Sequence, residues 1–142
     1  MMTNFDDIPF AIEADPYSGV YTDWTIEPIV VRQHVPYSSI WISETIGYEP
    51  ARVAWRLTFD RKDDYYAMLA RLNTVGTLTV LAGFQSLKGT QETHGNPPRV
   101  YEVLDNVQIA AITSVEFHVG GHVECSVAFE RMVDPVTRLA VT

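Results

Sequence analysis

The chain has 142 residues, a net charge of −8, 46% hydrophobic residues and a single cysteine, Cys125. That length builds one domain with a real core and no need of a disulfide or metal staple. The acidic balance argues against gripping a nucleic-acid backbone, which needs clustered Lys and Arg.

Residues 1–26 read as an acidic, irregular N-terminal arm. No basic residue precedes Arg32, while Asp6, Asp7, Glu13, Asp15, Asp23 and Glu27 are all negative. Turn signals fall at Asp15-Pro16 and Ser18-Gly19. The first ten residues, MMTNFDDIPF, lack the basic and apolar regions of a signal peptide. Phe5, Phe10, Tyr17, Tyr21 and Trp24 are interleaved with the acids. A purely solvating tail would carry few aromatics. The segment reads either as a solvated, partly mobile arm or as a partner-binding or lumen-facing acidic segment; the aromatics favour an arm that docks, with Tyr21 and Trp24 as assembly contacts.

Residues 27–135 read as a single β-rich domain. Ile26–His34 is apolar and β-branched, but Pro28 cannot donate to a ladder, which predicts an edge strand. Pro36 and two serines mark a turn, and Ser39–Glu44 alternates as a short strand. Arg52–Phe59 alternates most clearly, with Val53, Trp55, Leu57 and Phe59 on one face. Asp60 is a candidate N-cap, and Asp63 and Asp64 complement the dipole of a following helix. Tyr65, Met68, Leu69, Leu72 and Val75 fall at helical spacing, and Gly76 suits a C-terminal stop. The spacing thus predicts one helix over 61–75.

Leu78–Ala82 returns to strand. Residues 83–99, GFQSLKGTQETHGNPPR, read as a long polar loop. Loops of this length are usually functional or disordered, so this one reads either as a floppy hairpin tip or as a contact loop that orders against a neighbour; under the second reading Lys88, Gln91, Glu92 and His94 are the assembly contacts. Val100–Leu104 reads as a strand and Asp105-Asn106 as a turn. Val107–His118 and His122–Arg131 then form a hairpin. A three-residue loop, Val119-Gly120-Gly121, places Phe117 opposite Val123 and Val115 opposite Cys125. That register keeps Val107, Ile109, Val115, Phe117, Val123, Cys125, Val127 and Phe129 on one face; a one-residue slip would scramble it. Residues 136–142 form a C-terminal tail.

The same register sets Glu116 across from Glu124 and His118 across from His122. These four side chains are the metal candidates of the sequence, because imidazole suits zinc and related metals. Like charges directly opposite are unfavourable, and no second shell is visible in the sequence. An exposed polar face, or one that meets another subunit, is the simpler expectation, and no cofactor is expected. G-x-S-x-G, Walker A, G-x-G-x-x-G and H-E-x-x-H motifs are all absent. Cys125 lies on the apolar face and reads as a buried hydrophobe. Asp60, Asp63 and Asp64 are explained by capping. Arg52 and Arg56, on the polar face of a strand, could bind an anion, but pairing with acidic neighbours or a partner subunit is the expectation. No run of about 18 apolar residues exists to cross a membrane. No catalytic residue is assigned, and no enzymatic activity is expected.

The run RVAWRLTFDRKDDYYAMLARLNTVGTLTVL, followed by YEVLDNVQIAAITSVEFHVGGHVECSVAFERMVDP, resembles the structural proteins of long-tailed bacteriophages. The likeness is to the distal-tail and tail-tube group, over roughly residues 50–135. Its carriers are a strand, a Leu- and Ala-rich helix, a strand, and long paired strands closing on F-x-x-x-x-D-P at Phe129–Pro135. The resemblance implies a mainly β fold: an antiparallel β-sandwich or split barrel flanked by the helix. It also implies a virion protein, made in the host cytoplasm, that forms a hexameric ring in the tail or baseplate. DNA would pass through the channel without specific binding, and the acidic balance would suit a DNA-repelling lumen. Other tail proteins would be its neighbours. Distal-tail proteins often carry a second, C-terminal domain, which leaves a plain tube subunit, a terminator or another baseplate component open. The alternative reading is a small β-sandwich module that binds a sugar, peptide or metal.

Overall fold

The computed structural model describes residues 3–12, 24–81 and 89–135. Three two-residue strands come first: β1 (Asn4–Phe5), β2 (Ile8–Pro9) and β3 (Ala11–Ile12). A hairpin of β4 (Pro28–His34) and β5 (Trp41–Tyr48) follows. Next come β6 (Ala51–Phe59), the helix α1 (Lys62–Ala70), β7 (Val75–Leu81) and β8 (Thr90–His94). The chain closes with β9 (Arg99–Phe117) and β10 (Val123–Arg131). The main sheet runs β2-β1-β7-β9-β10-β6-β3, with β8 added beside β9. Every ladder between named strands is antiparallel. The fold is therefore mainly β with one helix, its sheet curled into a half-barrel.

Alternation builds the concave face. Along β6, Ala51, Val53, Trp55, Leu57 and Phe59 are buried while their neighbours face outward, as a two-residue side-chain period requires. Val123, Cys125, Val127 and Phe129 do the same on β10. Each large apolar side chain removed from water contributes roughly 1.5–3 kcal/mol. Phe129 sits at the centre: Phe5, Phe10 and Trp55 have ring centroids 6.1, 6.3 and 5.9 Å from it.

The N-terminal residues correct the arm reading. Residues 4–12 cross the open side of the half-barrel, pairing with β7 through β1 and with β6 through β3. Phe5, Ile8 and Phe10 plug the core, and Trp24 is buried edge-on against Trp55 at 5.9 Å. Aromatics in an acidic context mark core anchors here. Tyr17 and Tyr21 lie outside the described residues, as do 136–142.

The helix is shorter than its pattern predicts. Its N-cap is Arg61, without a side-chain capping bond, in place of Asp60. Only Tyr65 and Met68 of the expected stripe are buried; Leu69, Leu72 and Val75 are exposed. Asn73, at φ 63°, turns the chain, and its N–H donates to the Ile109 carbonyl at 2.9 Å. That bond to β9 ends the helical region before Val75, which already belongs to β7. Gly76 is a strand residue with a different purpose. A Cβ there would lie 2.6 Å from Phe5 Cζ and 2.7 Å from Asp6 Oδ2. Asp6 occupies that spot because its carboxylate accepts from the Thr77 N–H at 2.9 Å and pairs with Arg71 at 3.1 Å. Gly76→Val is expected to cost about 1–3 kcal/mol by overpacking, read as a lower urea midpoint.

Two further expectations change. Asp105-Asn106 does not reverse the chain: β9 runs unbroken through it, with Asn106 tolerating φ 54°. Part of the expected loop at 83–99 is strand, since Thr90–His94 form β8, which pairs with Arg99–Val103. The hairpin register holds at its tip, where Phe117 faces Val123 and Glu116 faces Glu124. Val115 is not opposite Cys125 in a regular ladder, because pairing jumps from Glu116↔Glu124 to Thr113↔Ser126. This bulge sits at Ser114, φ 53°, and a second irregularity separates Ala128 from Phe129. Phe117 lies half-exposed over Tyr65, 5.5 Å away edge to face.

Candidate functional site

Two places on the surface carry groups that the core does not use. The first is the polar end of the β9–β10 hairpin. Its turn is closed by the His118 N–H donating to the His122 carbonyl at 3.0 Å, with Gly121 at φ 89°. The outward row there holds Glu116 and Glu124, and the next row brings Arg56 of β6 against Ser126. Two carboxylates facing each other would repel. Arg56 answers both, at 3.4 Å to Glu116 and 3.8 Å to Glu124, while donating to the Ser114 carbonyl at 2.7 Å. The bulge at Ser114 thus aims a backbone oxygen at the cation that neutralises the glutamates.

His118 and His122 stack face to face, 4.3 Å between centroids and 6° from parallel. His118 Nε2 lies 3.5 Å from Glu124 and 3.7 Å from Glu116. Neither is a proper hydrogen bond, and this nitrogen is shut off from solvent without a hydrogen-bond partner. One ligating atom each from His118, His122 and Glu124 falls within 4.8 Å of the others. The register in the sequence locates this cluster. The partner it does not reveal is Arg56, because its approach depends on the bulge.

The second place is the β4–β5 hairpin, which pairs with no strand of the main sheet. Its tip is stapled locally: Ser38 Oγ donates to the Val35 carbonyl, and His34 Nε2 donates to the Ser38 carbonyl at 2.7 Å. At its base Arg52 pairs with Glu27 at 3.0 Å. Between base and tip, Ile29, Val31, Ile40, Trp41, Ile42 and Ile46 are all exposed, Trp41 to 66%. A two-stranded ribbon has no inside, so consecutive apolar residues leave both faces wet. The run Ile40-Trp41-Ile42 carries that signal in the sequence, yet alternation there suggests only a short strand. Beside the base lies a cleft of about 420 Å³, lined by Thr25, Glu27, Arg52, Val53, Ala54 and Ala128.

The expected assembly contacts scatter. Trp24 is core and not available as a contact. Gln91 and Glu92 are exposed on β8, and His94 bonds Glu92 at 2.9 Å. Tyr21 and Lys88 lie outside the described residues. Cys125 is buried, and burial pushes its thiol above the ordinary range, against a smaller opposing effect of Arg56; it is not an activated nucleophile. Among the described residues no helix is long and apolar enough to cross a membrane. Comparison with protein-family models, curated proteins and solved structures finds no match for this chain.

Proposed function

We propose that this chain is a structural subunit that assembles with copies of itself into a ring. The setting that suits this best is the tail or baseplate of a long-tailed phage, with DNA passing through the channel. The β4–β5 hairpin carries the reading. Isolated two-stranded hairpins are marginal in water, and contiguous exposed apolar surface marks an interaction site. A second copy supplies a fitting acceptor: the cleft over Ala54 and Ala128, whose small side chains leave room for a large one such as Trp41. Hairpin and cleft are different surfaces of one chain, so their pairing is head to tail, which closes into a ring when the rotation permits. The net charge of −8 supports passage of DNA without retention.

Light scattering and negative-stain micrographs over a concentration series test the proposal. The parent chain is expected to form closed oligomers. Trp41→Asp with Ile42→Asp removes the knob, and Ala128→Trp fills the hole; each is expected to give monomers with little change in melting temperature. Mixed together they are expected to give a one-to-one dimer, because each variant retains the half that the other lacks. A parent chain that stays monomeric at every concentration overturns the proposal.

A further inference from the structure

We infer that the end of the β9–β10 hairpin is a binding site for a divalent transition metal of the zinc class, held by His118, His122 and Glu124. The inference stands independently of ring assembly. Four observations carry it.

First, two of the donors face each other across the turn, one residue beyond the paired ends of β9 and β10. His118 and His122 close the turn across one backbone hydrogen bond, and directly opposed side chains start with Cβ atoms only about 4.5–5.5 Å apart. Glu124, on β10, is two residues along the chain from His122 and so on the same side of the extended backbone. Second, the ligating atoms already lie within 4.8 Å of one another. Metal–nitrogen and metal–oxygen bonds of about 2.0–2.2 Å draw such atoms closer by side-chain rotation alone. Opening the imidazole stack supplies that rotation.

Third, His118 Nε2 is withdrawn from water and unbonded, whereas buried polar atoms are nearly always satisfied. A cation beside Glu124 gives this nitrogen a partner. Fourth, the second shell exists. Arg56 reaches Glu124 and Glu116 and is itself tied to the Ser114 carbonyl. It holds the carboxylate in place on one side while leaving its other lone pairs free. Outer-shell partners of this kind commonly change affinity by roughly 10–100-fold.

Two imidazoles and one carboxylate select a borderline cation such as Zn²⁺ over Mg²⁺ or Ca²⁺, which prefer all-oxygen sites. Three protein ligands leave a fourth position. Glu116, whose carboxylate is 3.7 Å from His118 Nε2, stands nearest to take it. A metal there would clamp the last pairs of the β9–β10 ladder, so the site is structural in kind.

Titration calorimetry of the full chain with Zn²⁺ tests the inference, with Mg²⁺ as the comparison. One Zn²⁺ per chain is expected, with no heat from Mg²⁺. His118→Ala and His122→Ala are each expected to weaken binding more than about 100-fold, and Arg56→Gln roughly 10–100-fold. His94→Ala, at the unrelated His94–Glu92 pair, is expected to leave affinity unchanged. Far-ultraviolet dichroism without metal checks that each variant is folded; His118→Gln and His122→Gln replace any alanine variant that is not. Co²⁺ loaded into the parent chain is expected to show the intense visible bands of a four-coordinate site, absent in the His118 variants. No Zn²⁺ binding by the parent chain, or binding that survives loss of both histidines, overturns the site.

Discussion

Phe129→Ala is expected to lower the stability of this protein by about 3–5 kcal/mol, the range for aromatic-to-alanine truncation in a core. The side chain is fully buried and packs against three rings from two segments far apart in sequence: Phe5 and Phe10 from the N-terminal crossing and Trp55 from β6. Its removal opens a cavity walled by other rings, whose shape resists collapse. The loss takes a large part of the 5–15 kcal/mol that holds a typical domain. Thermal melts are expected to shift down by roughly 10–15 °C. Urea melts should show a lower midpoint with unchanged slope, the sign of lost stability without altered unfolding surface. A shift below about 3 °C would mean that the N-terminal crossing does not pack on β10.

Asp105→Ala is expected to cost about 2–4 kcal/mol although Asp105 itself is exposed. The reason is its partner. Arg131 is buried to 2% exposure at the end of β10, and its guanidinium donates to the Asp105 carbonyl and carboxylate. Withdrawing the carboxylate strips a desolvated cation of its nearest counter-charge, the costly half of a broken ion pair. Arg131→Met removes the cation and keeps most of the volume, so it is expected to cost less than Asp105→Ala. Urea midpoints of the two variants decide the matter: equal losses, or a larger one for Arg131→Met, would show that Arg131 contributes by packing alone.

What could be read in advance follows from how far each signal travels along the chain. Alternation is local, and β6 and β10 follow it residue by residue because each faces a core on one side only. The hairpin register was equally legible at its tip, since turn length and apolar face had to agree. It failed four residues further on, where the bulge at Ser114 adds a residue that no periodicity announces. The helix stripe misled for a related reason: Leu72 and Val75 continue the 3.6-residue spacing, but a tertiary bond from Asn73 to Ile109 takes the chain out of the helix first. Acidic composition hid the role of residues 4–12, because Phe5, Ile8 and Phe10 act one at a time between polar neighbours.

The candidate site was legible to a similar depth. Opposed His and Glu pairs follow from strand register alone, whereas their cation follows from the approach of a third strand. The contacts expected of the long polar stretch rested on composition, and composition does not distinguish a contact loop from a strand such as β8 laid against β9. The ribbon of β4 and β5 needed the opposite inference. Its residues look like ordinary buried strand, and only the finished topology shows that, among the described residues, they form a two-stranded sheet of their own.

One uninterrupted strand, β9, joins the turn after His94 to the turn after His118. Its 19 residues give a contour of roughly 60 Å. A load applied at either extremity is therefore carried by a single covalent rail. The two irregular steps in its pairing with β10 are the points where that rail can flex without tearing the ladder on either side.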